Sequence, residues 1–204
     1  MTGFSADWLA LREPYDARAR NPLVLDAVIA AFKGCPSIRI VDLACGTGRF
    51  LREVKSNYPK LTVTALDLSP FYLEEARKAL APWSDVAFLE ATAEKVPAPD
   101  AGFDVVTCIY LFHELPAAQR RQVVGEMARL LRPGGTAILM DSIQLGDVPD
   151  YDALVEYFPL AFHEPYYAQY ARDDLAALFA AAGLSLADSR IAYFSKVMTF
   201  SKPE

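Results

Sequence analysis

The chain has 204 residues, 53% hydrophobic and 23% charged, which is enough apolar content for a full core and excludes disorder for the bulk of it. Its formal net charge of −6 disfavours a nucleic-acid backbone as main partner, since phosphate binding needs clustered Lys and Arg. No apolar run approaches the ~20 residues of a membrane span.

Met1 to Ala10 is mixed and polar, unlike a signal peptide. Cys35, Cys45 and Cys108 share no CxxC spacing, so neither a disulfide framework nor a zinc site is expected, and the cytoplasm is the expected compartment. Residues 5–33 carry helical spacing, first through Trp8, Leu9 and Leu11, then through Leu23, Val24, Leu25, Val28, Ile29 and Phe32. Gly34 is placed to end the second helix. Tyr15 lies in the polar segment between them.

Residues 38–51 organise the rest. Ile38, Ile40, Val41 and Leu43 predict a strand buried on both faces, residues 44–48 a tight glycine loop, and Arg49 the start of a helix. Gly46 and Gly48 permit positive φ and leave room for a ligand near the backbone. The helix behind them aims unpaired N–H groups at that ligand. A dinucleotide fingerprint wants a third glycine where Leu51 stands. Asp42, at the strand end, would repel a pyrophosphate and suits a ligand with an ammonium group.

Residues 61–67 alternate as a second strand ending at Asp67, and Ser69 and Pro70 read as N-cap and first residue of the next helix. An acid at this place accepts hydrogen bonds from the ribose hydroxyls of an adenosine. The third strand is expected at 86–89, and the fourth starts at Phe103-Asp104, with Cys108 a small core residue. His113 and Glu114 fall just past the fourth strand's end. A helix bearing Gln119, Val123, Met127, Leu130 and Leu131 follows; residues 132–135 break it and lead into a fifth strand at 136–140.

In this order the motifs resemble those of class I S-adenosylmethionine-dependent methyltransferases. They are Asp42 with Gly46-x-Gly48, Asp67, residues 91–94 before Val96-Pro97, Phe103-Asp104, Leu131-Arg-Pro-Gly-Gly135 and a terminal pair of strands. The resemblance covers about residues 38–202. It implies S-adenosylmethionine as cofactor, with Asp42, Ala44, Gly46, Gly48, Asp67, Leu68 and Ile109 at its site. Thr92 stands where relatives carry an Asp for the adenine amino group, and the backbone of Ala93 would address the ring. Tyr15 would cover the methionine part; a packed surface aromatic is the other reading.

The implied architecture is α/β and Rossmann-like, doubly wound, with a mostly parallel seven-stranded sheet, an antiparallel last strand and a helical, aromatic insertion after strand five. One domain is expected: a helical cap segment at 1–36, the cofactor-binding core at 37–141, the acceptor-side insertion at 142–172, and a helix with a strand hairpin at 173–204.

Residues 157–170 hold six aromatics and His163. They read either as a hydrophobic subdomain or as the lining of a mostly apolar acceptor pocket. On the second reading Phe112, Asp141, Phe162, Tyr166 and Tyr167 face the substrate. His163 is then the first candidate general base, with His113 competing; His163 supporting only the lid is the alternative. The implied reaction is methyl transfer to an O, N or C nucleophile of a small molecule, with no metal, nucleic acid or stable membrane insertion. A cofactor-binding regulator without catalysis, or an adenosylmethionine-using enzyme such as an aminopropyl transferase, are the alternatives. The latter needs an acidic polyamine pocket, for which only Glu114, Asp141 and Glu164 are at hand.

Overall fold

A computed structural model describes residues 38–204. The expected helices of 5–33, the cap segment 1–36 and Tyr15 lie outside the described residues. Strands β1 (Arg39–Leu43), β2 (Thr62–Asp67), β3 (Val86–Glu90), β4 (Phe103–Ile109), β5 (Leu131–Ser142), β6 (Ser185–Ala192) and β7 (Ser195–Ser201) form one sheet, ordered β3-β2-β1-β4-β5-β7-β6. The first five pair in parallel, and β7 runs antiparallel between β5 and β6.

Alternation along the strands divides the core in two. Ile40, Val63, Ala65, Val105 and Ile138 pack against α1 (Arg49–Asn57) and α2 (Pro70–Leu80). Val41, Leu43, Val106, Cys108 and Leu139 pack against α3 (Ala117–Leu130) and the short α6 (Leu175–Ala180). Ser69 caps α2 by accepting from the Tyr72 N–H, with Pro70 at the first helical position, as the sequence predicts.

Three boundaries differ from the sequence reading. Leu131 already pairs with Phe103, and regular pairing resumes at Thr136 opposite Val105, so β5 begins before the Pro-Gly-Gly turn instead of after it. The tail helix is shorter than 173–182, because the Asp174 side chain accepts from Ala177 N–H at 2.9 Å and sets the start at Leu175. The insertion divides into a 3-10 turn (Pro149–Tyr151), α4 (Asp152–Phe162) and α5 (Tyr167–Tyr170), with its own small core of Ile143, Val155, Tyr167 and Ala171.

Gly48 has a packing role in the fold. Its φ is +72°, and a Cβ built on it would stand 2.9 Å from the Ala76 Cβ on α2. The glycine therefore sets how closely α1 and α2 approach. Gly48→Ala should cost about 2–4 kcal/mol, combining left-handed strain with overpacking. Ala76→Gly in the same chain should return part of that loss, and urea unfolding of the two singles and the double measures the coupling.

Candidate active site

The site grows from the carboxyl ends of β1, β2, β4 and β5. After β1 the chain turns through Ala44 (φ 60°) and Gly46 (φ 53°), both left-handed. That turn sends the Cys45 N–H to the Leu66 carbonyl at 2.8 Å and the Gly46 N–H to Asp67 Oδ2 at 2.9 Å. Asp67 Oδ1 accepts from Ser69 N–H at 2.8 Å, so one carboxylate ties the glycine loop to the start of α2. Burial raises the Asp67 pKa, and the N–H groups of Ser69, Gly46 and Leu68 pull it back. A carboxylate offers about four lone-pair sites, so beyond these three N–H groups about one remains to accept from a hydroxyl.

Around this clamp the structure arranges the other residues expected at a cofactor. Leu68, 65% exposed, presents an apolar platform at the rim. Thr92 and Ala93 form the turn after β3, half-buried and buried, and Ile109 ends β4 half-buried. Asp42 is buried at the end of β1, where Thr107 Oγ1 donates to its Oδ1 at 2.6 Å. Thr107 was not legible as a site residue: a threonine in a β-branched run reads as a strand former.

On the other side of the crevice a 3-10 turn, Phe112–Glu114, leaves β4 and carries His113 inward. His113 Nδ1 lies 2.6 Å from Asp141 Oδ1, and Asp141 also accepts the N–H groups of Phe112 at 2.8 Å and Ser142 at 2.7 Å. His113 Nε2 lies 3.8 Å from Glu114 Oε1. The rings of Tyr110, Tyr167 and Tyr170 meet the imidazole edge-on at 6.0–6.4 Å. Burial alone would depress the imidazole's pKa; the charge and hydrogen bond of Asp141, with Glu114 and Glu164, outweigh it and raise the value from 6.5 to about 9. The three carboxylates weighed for a polyamine thus converge on one imidazolium.

Three residues expected on the substrate side are buried. Phe112 is fully buried, with its ring 6.0 Å from Phe179, which in turn stacks on Phe200; burial assigns it to the core beneath the site. Asp141 is 1% exposed and sits behind His113, so it orients the imidazole rather than meeting a substrate. Tyr167 is likewise buried, its hydroxyl 2.5 Å from Ser142 Oγ, which leaves only its ring edge on His113. Phe162 and Tyr166 are exposed on the insertion. His163 ends α4 in a left-handed conformation at φ 55° and is exposed. Glu164 consequently leaves the helix, and its charge reaches His113.

Arg120 escaped the sequence reading. It reads as a surface charge on α3, yet its side chain is fully buried. Its guanidinium donates to the carbonyls of Phe112 and Leu115 and pairs with Asp173 through Nη2 at 2.7 Å. It therefore fixes the turn that holds His113.

A glycine loop at the β1/β4 switch, an acid ending β2 and a buried His–Asp pair lie at the carboxyl ends of the strands of a doubly wound α/β sheet, where such folds bind ligands. Known proteins of similar sequence or fold are methyltransferases. Residues 40–135 match the methyltransferase domain family. A demethylmenaquinone methyltransferase of Deinococcus radiodurans is 39% identical over 104 residues, 50% of this chain and 42% of that protein. A malonyl-[acyl-carrier protein] O-methyltransferase of a Paenibacillus species is 32% identical over 104 residues, 49% of this chain and 37% of that protein. The matched stretch spans less than half the length of either relative. An O-methyltransferase family protein from Burkholderia thailandensis shares the fold, with a TM-score of 0.70 at 22% identity over 97% of this chain and 58% of that one. Over residues 40–135 the chain is similar to methyltransferases.

The His113–Asp141 pair should be visible in stability. The imidazole's pKa is raised in the folded state, so its contribution is complete below about pH 6.5 and is lost as pH rises through 9. The stability difference between the parent chain and His113→Gln should shrink by on the order of 3 kcal/mol between pH 6 and pH 10. Urea unfolding at both pH values measures it.

Proposed function

We propose that this chain transfers the methyl group of S-adenosylmethionine to a small-molecule acceptor through an O, N or C nucleophile. The observation that carries the reading is the Asp67 carboxylate, fastened to the Gly46 and Ser69 N–H groups with acceptor capacity left over, across the crevice from the buried His113–Asp141 pair. S-adenosylmethionine fits these residues: a ribose hydroxyl suits Asp67, and an adenine face suits exposed Leu68 and the Thr92–Ala93 turn. When bound it supplies an electrophilic methyl group on a sulfonium.

The chain's own part is mostly placement, which brings an acceptor nucleophile into line with the methyl carbon. His113 is the imidazole that the geometry favours beside the acceptor. Charged at neutral pH, it donates to an acceptor oxygen; it takes a proton only as pH approaches 9. His163 belongs to the insertion's exposed end and serves the lid. Phe162 and Tyr166, exposed on the same insertion, offer apolar contact to the acceptor. The two relatives named above carry chemically different acceptors in their names, so the acceptor class is not carried over from either. Among the described residues no helix is long and apolar enough to cross a membrane.

Calorimetry tests the cofactor. S-adenosylhomocysteine should bind and NAD should not; NAD binding without heat from S-adenosylhomocysteine overturns the reading. Asp67→Ala should weaken S-adenosylhomocysteine binding roughly ten- to a hundred-fold, the loss of hydrogen bonds to a charged group. For the acceptor side, His113→Gln should lower turnover at least tenfold with cofactor affinity unchanged, while His163→Gln stays near the parent rate. The reverse pattern would move the chemistry to the lid.

A further inference from the structure

The side chain of Arg120 has no exposed surface, although it is the fourth residue of α3, where a cation opposes the helix dipole. A buried ion pair adds little net stability over packed apolar groups, so stability does not explain an arginine there. What the guanidinium supplies is direction. Nη1 donates to the carbonyls of Phe112 and Leu115, which bracket His113 and Glu114. Nε donates to Asp173 Oδ2 at 2.9 Å. The planar fork spans two carbonyls and a carboxylate in one fixed geometry, which a lysine ammonium does not reproduce.

Asp141 holds the same turn by its other backbone group. It accepts the Phe112 N–H at 2.8 Å and lies 2.6 Å from His113 Nδ1. Phe112 is thus fixed at its N–H by Asp141 and at its carbonyl by Arg120. Asp141 immediately precedes the insertion of 142–172, and Asp173 immediately follows it. The two ends are closed on each other. Gln144 Nε2 donates to the carbonyls of Tyr170 at 2.6 Å and Asp173 at 2.7 Å, and the Leu145 N–H donates to that of Ala171 at 3.0 Å.

We infer that Arg120 is a positioning residue: with Asp173 it fastens the turn of residues 112–115 to the far end of the insertion and so fixes His113 against Asp141. The inference rests on the reading of His113 as the acceptor-side imidazole and adds how its place is set.

The chain has two histidines, so in a His163→Gln background the imidazole NMR signals are those of His113. Arg120→Met should let the turn relax from Asp141, and the His113 titration should fall from about 9 toward 6.5. Affinity for S-adenosylhomocysteine by calorimetry should change less than about twofold. Asp141, Glu114, Glu164 and the rings of Tyr110, Tyr167 and Tyr170 surround the imidazole and keep their identity in this variant. Loss of a positive charge with the turn unmoved would raise the titration instead, so the sign separates positioning from charge. A merely structural role would lower stability and leave the titration in place. Arg120→Lys, which keeps a donor for the carbonyls, should restore part of the raised value. Asp173→Asn, at a partly exposed side chain, should shift His113 the same way by less, and decides the matter if Arg120→Met does not fold. A raised or unchanged His113 titration overturns the inference. Full turnover in His113→Gln overturns the acceptor-side reading instead and leaves the role of Arg120 standing.

Discussion

The order in which the chain visits its strands governs everything else. β1, β2 and β3 are laid down outward in one direction, and β4 returns to the other side of β1. The connections leaving β1 and β4 therefore depart to opposite sides, and the carboxyl ends of those two strands are left with a crevice between them. Asp42 and the glycine loop arrive there from β1, Thr107, Ile109 and the His113 turn from β4, and Asp67 one strand further out. None of these residues would meet if β4 continued outward from β3. The antiparallel β7 closes the other side by pairing with β5, whose last residues carry Asp141.

The crevice is lined by polar groups that burial would make costly if they were left alone. Each is answered by a partner from another element. Thr107 answers Asp42, the Gly46 and Ser69 amides answer Asp67, and His113 with two amides answers Asp141. Arg120 extends the pattern one layer down, since it satisfies carbonyls of the His113 turn from beneath and ties that turn to Asp173. Such pairs add little net stability compared with well-packed apolar groups, but breaking one leaves its partner stranded. They make the strand ends rigid at the cost of a less apolar core.

The insertion after β5 has a buried and an exposed half. Tyr167 and Tyr170 are buried, with hydroxyls bonded to Ser142, and they hold the insertion to the end of β5 while their rings flank His113. Leu154, Tyr157, Leu160 and Phe162 of α4 remain more than half exposed. The buried half anchors the insertion, and the exposed half leaves apolar surface on α4.

The sequence by itself determined the local elements and the cofactor-side motif. Periodicity and β-branched runs marked the strands, Ser69 and Pro70 marked a helix start, and the positive φ at Gly46 is a property that glycine chemistry announces. Asp42 and Asp67 were legible because a carboxylate at the end of an apolar strand has few structural reasons to be there. Tertiary structure decided which side chains meet. His113 and Asp141 stand 28 positions apart and come together only because β4 and β5 lie side by side. The same closeness made Asp141 a partner of the imidazole, and it put Phe112 into the core. Thr107 and Arg120 gave no sign in one dimension, since a threonine in a strand and an arginine on a helix are ordinary residues until their neighbours are known. Burial and pairing belong to contacts across the sheet, and a linear pattern records only the contacts a residue makes along its own element.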